Sequence, residues 1–140
     1  MNIEFRLASK IDKASIKRFY KQQKYSAGFM GLDHTMLALV NDAIIGAVIV
    51  SKIEESNSQY LLHGLVVAQQ YRGQQIASSL IKHMTKRFTS IYCFADSSLQ
   101  NFYLNNGAAL SSEDNLSTTL ANRLNAYLKH SPKLNVFHLS

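Results

Sequence analysis

The sequence predicts a mixed α/β domain, and three observations carry that expectation. Short strand-like apolar runs alternate with longer stripes of helical period in the order β-α-β-β-β-α-β-α-α-β. Residues 61–77 read as a buried strand, a glycine-containing turn and the start of an amphipathic helix. The length of 140 residues, with 46% hydrophobic and 17% charged content, suits a single domain over 1–140 with a real core.

Each element has a local reason. Ile3, Phe5 and Leu7 alternate with Asn2, Glu4 and Arg6, so residues 2–8 are expected as a strand with one buried face. Ser9 precedes Asp12 in capping-box spacing, and Ile11, Ala14, Ile16, Phe19 and Tyr20 mark a helix over 10–23. Residues 25–33, with Gly28 and Gly31, read as a loop. Two strands, 36–40 and 44–53, flank Asn41-Asp42 as a hairpin, and residues 54–59 turn into a strand over 60–67. Ile76, Ala77, Leu80, Ile81, Met84 and Phe88 form one stripe of a helix over 74–88. A strand over 90–95 and a short helix over 97–105 follow, with Gly107 as a left-handed stop. Leu116, Leu120, Leu124 and Leu128 place a helix over 116–129, and Pro132 ends that segment before a last strand over 134–139.

Composition narrows the function classes. The single cysteine, Cys93, rules out an internal disulfide framework and reads as a small buried hydrophobe. No apolar run approaches the roughly 20 residues that span a bilayer, and the first residues lack a charged-then-apolar leader pattern. A cytoplasmic protein with no membrane partner is therefore expected. His34, His63, His83, His130 and His138 are scattered, so no metal is expected. The net charge of +6 attracts anions in general. The densest basic groups, over 10–24 and 82–87, are not continuous runs and read as solvated helix faces. No aromatic-basic strand motif for nucleic acid accompanies them.

The turn after the strand at 60–67 is the first candidate site. The first backbone N–H groups of a helix have no intrahelical partners and sit at the positive end of its dipole. Amides over residues 72–77 are thus suited to a phosphate-bearing ligand, above all a pyrophosphate.

Two segments carry a family likeness. Leu65-Val66-Val67 followed by Gln70-Tyr71-Arg72-Gly73-Gln74-Gln75 and Ile76-Ala77 resembles the acyl-CoA loop of the GNAT N-acyltransferases. Leu99-Gln100-Asn101-Phe102-Tyr103, continuing to Gly107-Ala108, is similar to that family's second motif. The two stand in the family's order, separated by one helix and one strand. The resemblance implies a GNAT-like domain with a central, mostly antiparallel twisted sheet flanked by helices. Gln75 departs from the family's Gly or Ala, a small residue that lets pyrophosphate approach the backbone. Leu99 and Ala108 replace the usual Ala and Phe. A helix over 116–129 stands where the family usually has a long strand, so the segment near the C-terminus is expected to be atypical.

The resemblance also implies chemistry. The function would be N-acetyl transfer from acetyl-CoA, the co-substrate, to a primary amine of an unidentified acceptor. Backbone groups of Leu65, Val66 and Val67 would pair with the pantetheine arm, and the amide of Val66 or Val67 would polarise the thioester. Arg72, Gly73, Gln74, Gln75, Ile76 and Ala77 would hold the pyrophosphate, with the Ser78 hydroxyl nearby. Tyr103 matches the family's general acid on the thioester sulfur; a buried tyrosine bonded to a backbone carbonyl is the alternative. His63 titrates near neutral pH and is the candidate general base, against a structural histidine or a base of ordered water. By alternation His63, Leu65 and Val67 share a face unless a bulge intervenes. Tyr25, Phe29, Met30 and His34 either line an acceptor pocket or cap the core. Excess charge leans toward anionic acceptors, or toward aminoacyl-tRNA as the one nucleic-acid partner, and the last strand leaves a homodimer open. The alternative function is a non-catalytic acyl-CoA-binding sensor or partner module of the same fold, for which Gln75 is the supporting feature.

Overall fold

The structure is a computed structural model that describes residues 2–25, 33–53 and 58–139. The first strand, β1 (Glu4–Leu7), leads through a 3₁₀ turn at Lys10–Asp12 into helix α1 (Lys13–Gln22). Asp12 anchors this entry: Ser9 N–H donates to its carboxylate at 2.8 Å, and Arg6 grips both oxygens at 2.8 and 3.0 Å. The expected helix stripe is therefore out of phase in its first turn. Ile11 is 89% exposed and Ala14 is exposed as well, while Ile16, Phe19 and Tyr20 are buried. Leu7, expected inward with Ile3 and Phe5, is also exposed at the strand's end.

Strands β2 (Asp33–Val40) and β3 (Ala43–Lys52) form the expected hairpin. Asn41 and Asp42 have φ of 48° and 66°, the left-handed pair that a two-residue hairpin turn requires. Next come β4 (Tyr60–Val67), α2 (Ile76–Thr85), β5 (Ile91–Asp96) and α3 (Gln100–Asn105). Gly107 is left-handed, at φ 87°. A strand absent from the sequence expectation, β6 (Ala108–Ser111), then intervenes before α4 (Thr118–Leu128) and β7 (Leu134–Leu139). Its four residues bury only Ala108, so no alternating pattern betrays it. Pairing with β7 creates it.

The seven strands form one sheet in the order β1-β2-β3-β4-β5-β7-β6. Only β4 and β5 run parallel. One face is covered by α2 and α3, whose Ile76, Leu80, Ile81, Met84 and Tyr103 pack with Leu62, Cys93 and Phe137. On the other face α1 lies over Leu37, Ala47 and Ile49, and α4 over Leu61, Tyr92 and Val136.

Candidate active site

Two irregularities in β4 build the site. The parallel pairing of β4 with β5 ends at Leu62 opposite Cys93, yet β4 continues to Val67 and β5 to Asp96. The strands splay, and a cavity of about 620 Å³ occupies the slot between them. The second irregularity is a bulge at Gly64 (φ 64°), where the register to β3 shifts. Tyr20 Oη donates to Gly64 O at 2.6 Å and pins it.

The bulge corrects the expected shared face. Before it, His63 pairs with Ile49 and looks toward α1 and α4. After it, Val66 lies on that face, and Leu65 and Val67 pack into the core beneath α2. Peptide groups alternate as well. Ala68 N–H donates to Ile45 O on β3, so the groups of Val66 turn toward β3 and those of Leu65 and Val67 toward the slot. Of the two expected thioester donors, Val67 and not Val66 has the suitable direction. Its carbonyl accepts from Arg72 Nε at 3.1 Å at the start of the loop that precedes α2.

In that loop Gly73 (φ 80°) and Gln75 (φ 61°) are both left-handed. A glycine at position 75 would adopt this conformation freely; Gln75 takes it with some strain. The amides of Gly73 through Ser78 have no acceptor among the described residues, and they open onto the N-terminus of α2. Ser78 lines a second cavity of about 410 Å³ with Gln75, Lys82 and Asn106.

His63 and Tyr103 reach the slot from opposite faces of the sheet, and both line it. Tyr103 is buried against Phe137, with ring centroids 4.9 Å apart, and its hydroxyl contacts the Cys93 thiol. Burial raises the Tyr103 phenol well above its ordinary value and pushes the Cys93 thiol up to about 11. Cys93 is buried, as expected.

His63 has a partner that sequence reasoning missed. Its Nε2 lies 2.7 Å from Ser51 Oγ, and the Ser51 hydroxyl donates to Asp33. A hydroxyl has one proton, and a carboxylate only accepts. Ser51 therefore accepts from Nε2–H, which leaves the lone pair on Nδ1. Burial lowers the imidazole pKa, Asp33 opposes that shift, and Arg123 on α4 adds to it. The ring is thus neutral at pH 7.

Arg123 and Tyr127, one turn apart on α4, also line the slot, as does Tyr25. His34 packs against Phe88 instead, with centroids 4.8 Å apart. Phe29 and Met30 lie outside the described residues.

Comparison with known proteins supplies the family. A family model for the acetyltransferase (GNAT) domain matches residues 32–107, more than half of the chain. No curated protein matches by sequence. Among solved structures, a GNAT-family acetyltransferase from Staphylococcus aureus is similar, with a TM-score of 0.68 at 17% identity, covering 97% of each chain. Arabidopsis thaliana Naa50, solved with the bisubstrate analogue CoA-Ac-MVNAL, gives 0.65 at 17% identity over 98% of this chain and 97% of that one. Neisseria gonorrhoeae N-acetylglutamate synthase, complexed with coenzyme A and N-acetyl-glutamate, gives 0.68 at 12% identity; 98% of this chain is covered, but it spans only 34% of that protein. These three likenesses are likenesses of fold. With a domain model matched over more than half of its length, the chain belongs to the GNAT acetyltransferase family.

Proposed function

We propose that residues 1–140 act as one domain that transfers the acetyl group of acetyl-CoA to a primary amine, in the cytoplasm. One observation carries the reading: β4 leaves β5 after Leu62, and the freed edge leads to six amides, Gly73–Ser78, that have no acceptor among the described residues, at the start of α2. Such a run of donors suits a pyrophosphate, and an open strand edge suits the amides of a pantetheine arm. When bound, acetyl-CoA supplies an activated thioester.

The residues then divide the work. Leu65 and Val67 offer peptide groups along the slot, and Val67 N–H is the donor for the thioester oxygen. Arg72 keeps its Nη groups for phosphate while Nε holds the Val67 carbonyl. His63 Nδ1 takes the proton of the acceptor amine, and Ser51 and Asp33 steady the imidazolium through Nε2. The amine nitrogen bonds to the acetyl carbon as the carbon–sulfur bond breaks. Tyr103 meets the departing sulfur as a hydrogen-bond donor. Full proton transfer from a phenol above pKa 10 to a thiolate near 8.5 is uphill by at least about 2 kcal/mol, so stabilisation of the thiolate is its part.

Calorimetric titration with coenzyme A tests the binding half, and thiol release from acetyl-CoA with a panel of amines tests the transfer half. Absence of heat at millimolar coenzyme A sinks the reading. Tight binding without any amine-dependent thiol release favours the sensor module instead. A His63→Ala enzyme that kept the wild-type acidic limb of its pH–rate profile would exclude His63 as the base and point to ordered water.

A further inference from the structure

We propose that the acceptor is a small amine that also carries an anionic group, carboxylate or phosphate, and that Arg123 holds that group. The assignment rests on the acetyl-transfer reading for the role of the slot. It goes beyond that reading in naming the acceptor's chemistry.

Among the described residues the slot's lining includes the basic side chains Arg123, His63 and His130 and no aspartate or glutamate; the Asp33 carboxylate stands behind Ser51, which donates to it. A polyamine or a lysine side chain would bring a positive charge to a wall whose described residues offer no carboxylate to receive it. The same wall favours a negative group.

Arg123 itself needs one. Its side chain is half-buried, yet it has no ion pair and no hydrogen bond among the described residues. A half-buried guanidinium without a partner forgoes several strong contacts. Its planar fork matches a carboxylate or phosphate in two parallel bonds.

Placement ties this anchor to the chemistry. Arg123 and Tyr127 lie at i and i+4 on α4, and His130 follows in the turn that closes the helix, so all three look the same way. They look into the cavity that His63 enters from β4. The guanidinium is near enough to His63 to act on its imidazole. An acceptor held by its anion at Arg123 thus has its amine within the same small space as Nδ1. The volume of about 620 Å³, shared with the thioester end, suits a molecule of amino-acid size.

The experiment pairs anionic amines with neutral isosteres: glycine and alanine against their amides, and phosphoethanolamine against ethanolamine. The carboxylate and phosphate arms separate the two sources of negative charge. Thiol release from acetyl-CoA gives kcat/KM for each. Calorimetry on the protein loaded with coenzyme A gives binding independently of turnover. In the wild type, one anionic arm should exceed its neutral partner roughly ten- to a hundredfold. Arg123→Gln should bring that ratio toward one, and Arg123→Lys should leave it intermediate. The proposal is overturned if neutral amines match or exceed anionic ones, if the ratio survives Arg123→Gln in a protein that melts like the wild type, or if no anionic member binds the loaded protein. Arg123-dependent anion binding without thiol release would support the anion site and reject acetyl transfer.

Discussion

Replacing Ser51 by alanine isolates the contribution of the buried chain that runs from Asp33 through Ser51 to His63. Ser51 is fully buried, and alanine differs from it by one hydroxyl, so the perturbation is local. The imidazolium of the proposed base step loses its hydrogen bond at Nε2, and Asp33 loses the donor that connects it to the ring. A hydrogen bond to a charged group contributes about 1.5–3 kcal/mol. The neutral ring also donates Nε2–H to Ser51, so only the excess of the charged over the neutral hydrogen bond, about 1 kcal/mol, moves the His63 pKa, and it moves it down, favouring the neutral ring roughly fivefold. The sign follows from the role. A general base works when neutral, so activity is lost as pH falls through its pKa, and a lower pKa moves the acidic limb of kcat/KM to lower pH.

The groups that face His63 give two further arms with opposite signs. Asp33 on β2 raises the imidazole pKa and Arg123 on α4 lowers it. Asp33→Asn should therefore shift the limb downward, in the same direction as Ser51→Ala, and Arg123→Gln should shift it upward. The assay is thiol release from acetyl-CoA between about pH 5 and 9, with thermal melts as a check on folding. A folded Ser51→Ala enzyme whose acidic limb coincides with the wild type refutes the chain as a support for His63.

Three other outcomes are expected. Tyr103→Phe should leave coenzyme A affinity unchanged by calorimetry and lower kcat roughly ten- to a hundredfold, because only the donor to the departing sulfur is removed; unchanged kcat would remove Tyr103 from the mechanism. Gln75→Gly should stabilise the fold by up to about 1 kcal/mol and raise Tm by a few degrees, since glycine takes φ 61° without the cost borne by glutamine; a lower Tm would show that the Gln75 side chain makes a compensating contact. Asp12→Asn should cost about 1 kcal/mol at neutral pH, because asparagine can still accept from Ser9 N–H but gives up the charge-assisted grip of Arg6 on both carboxylate oxygens. The Asp12 carboxyl is held well below the usual carboxylate range, first by the Arg6 guanidinium and then by Ser9 N–H. Its unfolded form therefore takes up protons first, and its contribution fades as pH drops below about 4, so melts of variant and wild type should converge there.

The elements legible in the sequence are those whose pattern is local. β4 and β7 have the predicted bounds because β-branched and aromatic residues crowd between polar turns. The β2–β3 hairpin was legible because Asn41-Asp42 tolerate positive φ. What escaped depends on distant partners. β6 exists through its pairing with β7, and the exposure of Ile11 follows from Asp12 binding Ser9 and Arg6 ahead of α1. The Ser51 link had a signal, though a faint one. Ser51 is a polar residue that follows the apolar run of β3, and hairpin register alone would set it opposite Leu32. The register shift at Ala38/Leu39 moves Asp33 into that place. No local spacing announces that shift, so His63 was visible while its support was not.

The Gly64 bulge explains why one strand can serve three tasks. Strict alternation would put His63, Leu65 and Val67 on one face. Either the imidazole would then be driven into the core beneath α2, or two aliphatic side chains would leave it. One extra residue at φ 64° separates these demands, sending His63 toward α4 and the Ser51 chain while Leu65 and Val67 stay packed. The same break coincides with the point where β4 parts from β5, so the peptide groups released from the sheet become the open edge of the slot. The fit around the bulge leaves little freedom. A methyl at Gly64 would stand 3.1 Å from Tyr20 Oη and 3.3 Å from Ile49 Cδ1, on a backbone that L side chains rarely adopt. Tyr20 donates to the Gly64 carbonyl from α1, so the helix that covers one half of the sheet also holds the bulge in place. The proposed base, the proposed thioester donor and the open strand edge thus share one mechanical origin. A change at Gly64 should disturb all three together, whereas a change at Ser51, Tyr103 or Arg123 should disturb one.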